Sequence, residues 1–390
     1  MTGKRRTTST FDVDALIKDP GTRILVTCGS GGVGKTTTAA ALALRAAQAG
    51  RRTVVLTIDP ARRLAQSMGL TELDNTPREV PGGVDGSSGG ALFAMMLDMK
   101  RTFDEVVSAH STPDRAEAIF ANPFYQALSS SFAGTQEYMA MEKLSQLAEQ
   151  GTWDLIVVDT PPSRSALDFL DAPQRLGRFL DGRFIRLLAA PAKAGGKAYL
   201  KVVAASFTLV TRVVTKVLGN DLLRDVSAFV ASLEAMFGGF RERAEHTYQL
   251  LKAPGTAFVV VASPEPDALR EASYFVERLA GDQMPLAGLV LNRMHRAAIG
   301  PPGTDELTAR RAEAAADSLA AKPSTPETAL AEAALRVHVQ IALAAEHDNR
   351  MARRFAAAHP EVPMIAVPAL ATDVHDLDGL RTIGALLSAH

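Results

Sequence analysis

The stretch "RILVTCGSGGVGKTTTAAALALRA" constrains this chain more than any other part of it. An aliphatic, β-branched run ends at Cys28, a glycine-rich turn comes next, and an alanine-rich helical pattern starts near Lys35. A strand feeding a helix through glycines gathers backbone N–H groups and the positive end of the helix around one anion. Two phosphate patterns overlap here. Gly29, Gly31 and Gly34 give the G-x-G-x-x-G of a dinucleotide turn, whereas Gly29, Gly34, Lys35 and Thr36 give G-x-x-x-x-G-K-[ST]. Only the second supplies an ammonium for β/γ-phosphates and a hydroxyl for Mg²⁺. Lys35 and Thr36 therefore favour a nucleoside triphosphate, held by the backbone of Gly31, Gly32, Val33 and Gly34.

The rest of the chain agrees with an α/β fold. Apolar runs recur at 53–58, 92–98, 154–159, 256–262, 286–292 and 364–368, separated by helix-length spacers. Strands covered on both faces read this way, which predicts a P-loop fold with a mostly parallel sheet of about seven or eight strands and helices on both faces. Residues 99–150 and 171–250 hold few β-branched runs and read as helical insertions, forming an added helical layer. The whole of 1–390 reads as one ATPase-type domain, with core strands within 22–98, 151–170 and 255–385. "PGGVDGSSGG" (81–90) reads as a flexible loop, and the polar stretch 300–327 as a surface helix with proline-marked ends. The dinucleotide alternative would use Asp59 as its ribose acid, but it leaves a second strand-end carboxylate, Asp159 in "DLIVVDTPP", without a role.

Composition narrows the partners. Forty-two basic against 43 acidic residues give a formal net charge of -1, which offers no support for nucleic-acid binding. Cys28 is the only cysteine, so neither an intrachain disulfide, a cysteine-pair zinc clasp nor a thiolate metalloid site is available within one chain. The basic N-terminus lacks an apolar core like that of a signal peptide, and "AYLKVVAASFTLV" is too short to span a bilayer. A cytoplasmic protein is expected, with indirect membrane association left open.

"GSGGVGKTT", "LTIDPARRLAQSM" and "VVDTPPSRSALDFL" resemble, in order and spacing, the deviant-Walker motifs of the arsenite-pump ATPase family, which includes the ATPases that target tail-anchored membrane proteins. "VASPEPDALREASYFVERL", "LAGLVLNRM" and "VPALATDVHDLDGL" resemble its later strands and base pocket. The resemblance implies ATP and Mg²⁺ as ligands. It gives Lys35 to the β/γ-phosphates, Thr36 and Asp159 to Mg²⁺, and Thr37 to the α-phosphate. Asp59 would orient the attacking water, Asn292 would read the base, and Pro368 and Ala369 would flank it.

Two departures stand out. The loop position where the family carries a signature lysine, which reaches the partner's ATP, is Ser30, and a hydroxyl supplies no cation. Relatives carry D-T-A-P-T-G-H where this chain has Asp159-Thr-Pro-Pro-Ser-Arg-Ser165, so Arg164 replaces a flexible glycine. The reading favours a heterodimer with a lysine-bearing paralogue over a homodimer. Arg62, Arg63 or Arg164 supplying the charge, or simple tolerance of Ser30, stays open. An apolar helical face between Phe184 and Leu223 serves either a client helix or packing, within its own domain or against a dimer mate. Two function classes result: a dimeric Mg-ATPase switch, or a weakly hydrolysing regulatory subunit. The eight histidines show no ligand spacing and are expected on the surface or in helices.

Overall fold

Ile24–Cys28 form a strand, β1, in which every residue is buried. A buried polar loop would strand its amides, so a chain segment this apolar needs sheet partners on both sides, and β1 has them. The computed structural model describes residues 10–58, 63–84, 89–123, 125–126, 129, 135–161, 242–243, 245–296 and 307–388. The described elements are α1 (Val13–Lys18), β1, α2 (Lys35–Gln48), β2 (Arg52–Thr57), α3 (Arg63–Ser67), β3 (Arg78–Glu79) and β4 (Ala91–Met96). They continue with α4 (Met99–His110), α5 (Pro113–Phe120), α6 (Thr135–Glu149), β5 (Leu155–Asp159), β6 (Thr256–Ala262) and α7 (Pro266–Gly281). The last are β7 (Leu286–Met294), α8 (Ala309–Ala320), α9 (Pro326–Ala358), β8 (Met364–Pro368) and α10 (Leu377–Leu386).

The strands make one 8-stranded sheet in the order β3-β4-β2-β5-β1-β6-β7-β8. All pairings are parallel except the short edge pair β3–β4. From β1 the chain first builds outward through β2 and β4, returns to insert β5 beside β1, then builds the other half through β6, β7 and β8. That reversal of direction opens a crevice at the carboxyl ends of the central strands, where ligands of open α/β sheets bind.

Side-chain alternation divides the core into two layers. Ile24, Val26 and Cys28 of β1 face one layer, with Phe258, Val260 and the helices α4 to α7 and α9. Leu25, Val157, Val259 and Val261 face the other, with α1, α2, α3 and α10. Within α2 the run Ala39–Ala47 is buried almost throughout, and its small side chains let α10 and the sheet close on it from opposite sides. Arg51 closes the opposite end of the sheet: its guanidinium donates to the carbonyls of Ile17, Thr22 and Asp154.

The expected apolar runs all lie in strands, and the region 99–150 carries α4, α5 and α6. Within the described part of the 300–327 stretch, α8 is a helix that ends before Pro323, and Pro326 opens α9 behind a Thr325–Thr328 capping box. Asp59, Arg62, Arg164, residues 85–88 of the loop and the Phe184–Leu223 face lie outside the described residues. Among the described residues no helix is long and apolar enough to cross a membrane.

Candidate functional site

The turn from β1 into α2 depends on two glycines. Gly29 has φ 146°, and a Cβ there would sit 2.0 Å from the Val261 carbonyl oxygen on β6. Gly34, the left-handed N-cap of α2, has φ 95°, and a Cβ would fall 2.3 Å from Asn292 Nδ2. The loop therefore packs against β6 and β7 at backbone distance. Gly29→Ala forces a carbonyl clash in a backbone conformation unfavourable to L side chains, and we expect a loss of about 2 kcal/mol or more, read as a lowered thermal midpoint.

Lys35 opens α2, is 6% exposed, and donates from Nζ to the Ser30 carbonyl at 2.7 Å. Its ammonium thus lies folded over the loop whose backbone forms the anion cradle. Next to it, Thr36 Oγ1 donates to Asp159 Oδ2 at 2.8 Å. Thr57 Oγ1 donates to the same carboxylate oxygen at 3.0 Å. β2 and β5 are neighbours, and Thr57 and Asp159 are register partners, so the two strand ends bring hydroxyl and carboxylate together. Asp159 is 0% exposed. The strand ends are stitched further: Thr160 Oγ1 donates to the Thr27 carbonyl at 2.8 Å and Thr27 Oγ1 to that of Val158 at 3.2 Å.

These groups fit a magnesium ion. Mg²⁺ in nucleotide sites takes one or two carboxylates or hydroxyls from the protein and its remaining oxygens from phosphate and water. Thr36 and Asp159, already at hydrogen-bond distance beside a phosphate cradle, are such a pair. The arrangement has no counterpart in a dinucleotide turn, and the Rossmann alternative is set aside.

Asn292, at the end of β7, uses Nδ2 to donate to the Val33 carbonyl at 2.8 Å, while its Oδ1 accepts from the Arg293 backbone N–H. The amide thereby fastens β7 to the phosphate loop. Arg293 adopts φ 61°, a left-handed conformation that turns the chain at this strand end. Pro368 lies opposite Met294 in the β7–β8 register, and the Ala369 N–H donates to the Met294 carbonyl at 2.9 Å. Pro368 and Ala369 thus stand against Met294, two residues after Asn292, at the end of the neighbouring strand. Thr37 is half-buried in the first turn of α2.

Two contributors are not evident from sequence. Thr57 reads there as one more β-branched strand residue; only the β2–β5 register shows its hydroxyl at Asp159. Gln136, near the start of α6, donates from Nε2 to the Ile58 carbonyl at 2.8 Å, and so ties the helical layer to the residue before Asp59.

Across the chain, the family of anion-transporting ATPases matches residues 22–312, more than half of its length. The chain belongs to the anion-transporting ATPase family. It is accordingly a P-loop ATPase. Relatives with which it aligns include the ATPase GET3 of Podospora anserina, 26% identical over 290 residues that cover 73% of this chain and 76% of the relative. The ATPase ARSA2 of Chlamydomonas reinhardtii is 28% identical over 271 residues, covering 68% and 66%. The ATPase ASNA1 homolog of Cryptosporidium parvum is 25% identical over 279 residues, covering 71% and 67%.

Cys28, last residue of β1, adds no chemistry to this site. Burial pushes its thiol up to about 12, against a smaller opposing pull from the Lys35 charge. The folded chain therefore keeps the thiol protonated, whereas the unfolded chain ionises it near pH 8.5. Above that value the unfolded state binds fewer protons, so this group lowers stability as pH rises from about 8.5 toward 12. At pH 8 we expect no reaction of the folded protein with a thiol-specific chromogenic disulfide and one equivalent in denaturant.

Proposed function

We propose that this chain is a Mg²⁺-dependent, ATP-hydrolysing switch that works as a dimer, paired with a paralogue that carries the lysine which Ser30 replaces. The observation that carries the reading is the convergence of Thr36 and Thr57 on the buried Asp159 carboxylate, with Thr36 adjoining Lys35 in the chain. In this reading Lys35 neutralises the β/γ-phosphates, and Thr36 and Asp159 hold Mg²⁺, which supplies charge stabilisation to the transferring phosphoryl group. Asp59 positions the attacking water, and Thr37, Asn292, Pro368 and Ala369 bind the rest of the nucleotide. Phosphoryl transfer demands little from the protein beyond positioning and electrostatics, so this set suffices.

The Gln136–Ile58 hydrogen bond supports coupling between nucleotide state and the helical layer, because a shift at Asp59 is felt at the first turn of α6. A helical layer coupled in this way can open and close a surface for a partner or an apolar client helix. Ser30 supports the pairing. It is 9% exposed, its Oγ finds no hydrogen-bond partner among the described residues, and it offers no charge to a neighbouring site. The same observation favours a second reading, a regulatory subunit that binds nucleotide and barely turns it over.

Steady-state hydrolysis by the purified chain, measured with its mass in solution and a Mg-ATP titration, separates these readings. Tight Mg-ATP binding with little turnover, relieved by the paralogue, is the expected result. Normal turnover by a homodimer rules out the need for a trans lysine, and failure to bind Mg-ATP overturns the site itself. Asp59→Asn then distinguishes the classes: it abolishes turnover and spares binding in a switch ATPase, and changes little in a regulatory subunit.

A further inference from the structure

Asn292 commits its amide to the phosphate loop in a way that contact with a base does not require. Along β7, Leu289 and Leu291 face one core layer, and Val290 faces the other, which holds α2 and Val33. Alternation puts Asn292 on the α2 side with Val290. The strand then bulges: Leu291 pairs with Ala366 and Met294 with Pro368, three steps on β7 against two on β8. Met294 accordingly returns to the layer of Leu291. The bulge contains the left-handed Arg293, whose N–H donates to Asn292 Oδ1 at 3.0 Å. This bond settles the orientation of the amide. A backbone N–H only donates, so Oδ1 receives it, and Nδ2 is left to donate to the Val33 carbonyl at 2.8 Å. Asn292 and Val33 are both buried, so little water is at hand to replace that donor.

The Val33 carbonyl belongs to the peptide that carries the Gly34 N–H. The described chain has no cis peptide bond, so the two groups point in opposite directions, and a donor that holds the carbonyl toward β7 turns the N–H to the far side of the loop. Among the described residues none accepts from that N–H. Glycine is what permits the approach, since a Cβ on Gly34 would stand 2.3 Å from Asn292 Nδ2. We propose that Asn292 is a positioning residue for the phosphates: by holding the Val33 carbonyl it aims the Gly34 N–H into the cradle, and so sets affinity for a polyphosphate whatever base is attached. This role rests on the nucleotide reading of the loop and goes beyond it, because Asn292 here acts through the Val33–Gly34 peptide rather than on the nucleotide. The two uses are compatible, as Nδ2 keeps a second proton and Oδ1 a second lone pair. One side chain then ties the end of β7 to the phosphate cradle.

Inorganic tripolyphosphate, which has no base, is the probe. It and ATP are titrated, each with Mg²⁺, into the parent chain, Asn292→Leu and Asn292→Ala; leucine keeps the volume of the side chain and removes the donor. We expect tripolyphosphate affinity to fall by about three- to tenfold in both variants, the size of one hydrogen bond, and ATP affinity by at least as much. In the same variants without ligand, hydrogen exchange of the peptide covering residues 29–36 quickens, while exchange in β6 and in β7 before Asn292 stays at the parent rate. Weakened ATP binding with unchanged tripolyphosphate binding makes Asn292 a base contact alone, which overturns the positioning role and leaves the nucleotide reading intact. Unchanged loop exchange, exchange quickened throughout β6 and β7, or a parent chain that binds ATP but no tripolyphosphate overturns the role as well. A parent chain that binds neither ligand removes the nucleotide reading and this role with it.

Discussion

Asp159→Asn lowers kcat for Mg-ATP by about 10²–10³-fold while leaving the protein folded, the magnitude typical of removing one preorganised electrostatic group from an active site. The amide is close to isosteric with the carboxylate, and its oxygen can still accept from Thr36 Oγ1 and Thr57 Oγ1, which both reach the same carboxylate oxygen at 2.8 and 3.0 Å. The two hydroxyl contacts therefore survive, and the negative charge disappears from a fully buried position beside the phosphate loop. A charge placed there with no solvent to screen it interacts far more strongly with a divalent cation than one in water. The Mg²⁺ concentration for half-maximal turnover rises with the substitution, whereas ATP affinity at saturating Mg²⁺ changes less, since Lys35 and the loop amides are untouched. The measurement is kcat and Mg²⁺ dependence on one preparation, in the presence of the activating partner if the chain needs one. A variant within about twofold of the parent in both would remove Asp159 from the metal site and leave it a strand-end ligand for two threonines.

Much of this site is legible along the chain because its parts sit at strand ends that are themselves loud in sequence. β1, β5 and β6 are continuous apolar runs, which only a sheet covered on both faces can accommodate. The residues at the end of each such run are then placed at the carboxyl edge of the sheet, and Lys35, Asp159 and Asn292 all fall there. Relations across the sheet are not legible. Nothing local distinguishes Thr57 from Thr53, its neighbour on β2: Thr53 Oγ1 bonds the Arg51 carbonyl, and Thr57 Oγ1 bonds Asp159. The difference is set by which strand is inserted beside β2, a tertiary choice. β3 is silent for a different reason, since its residues, Arg78 and Glu79, are exposed and carry no apolar signal. The histidines show the limit of spacing arguments. His338 and His359 are buried, bonding the Leu307 carbonyl and Ser273 Oγ, although neither lies near a patterned partner in sequence.

Ser30→Lys raises the ATPase rate of the isolated chain on the order of 10³-fold, the lower end of what a trans-acting cation contributes to phosphoryl transfer when it is an arginine. The Ser30 side chain is nearly enclosed, and its carbonyl already holds the Lys35 ammonium at 2.7 Å. A second ammonium cannot settle beside the first at low cost, because like charges about 4 Å apart repel by about 4 kcal/mol near a protein surface. The introduced lysine must therefore extend away from its own loop, and the place that rewards it is the phosphate of a facing subunit. This gives the gain a signature that a local effect lacks. Turnover per chain rises with protein concentration, because each site depends on its neighbour. A Ser30→Lys, Lys35→Ala chain, unable to use its own loop, donates the lysine to the parent chain, so the mixture is active where neither component is. An unchanged rate for Ser30→Lys together with a silent mixture would mean that the cation is not what the site lacks. Arg62, Arg63 or Arg164 would then be the next sources to remove, since each comes within a few residues after Asp59 or Asp159 in the sequence.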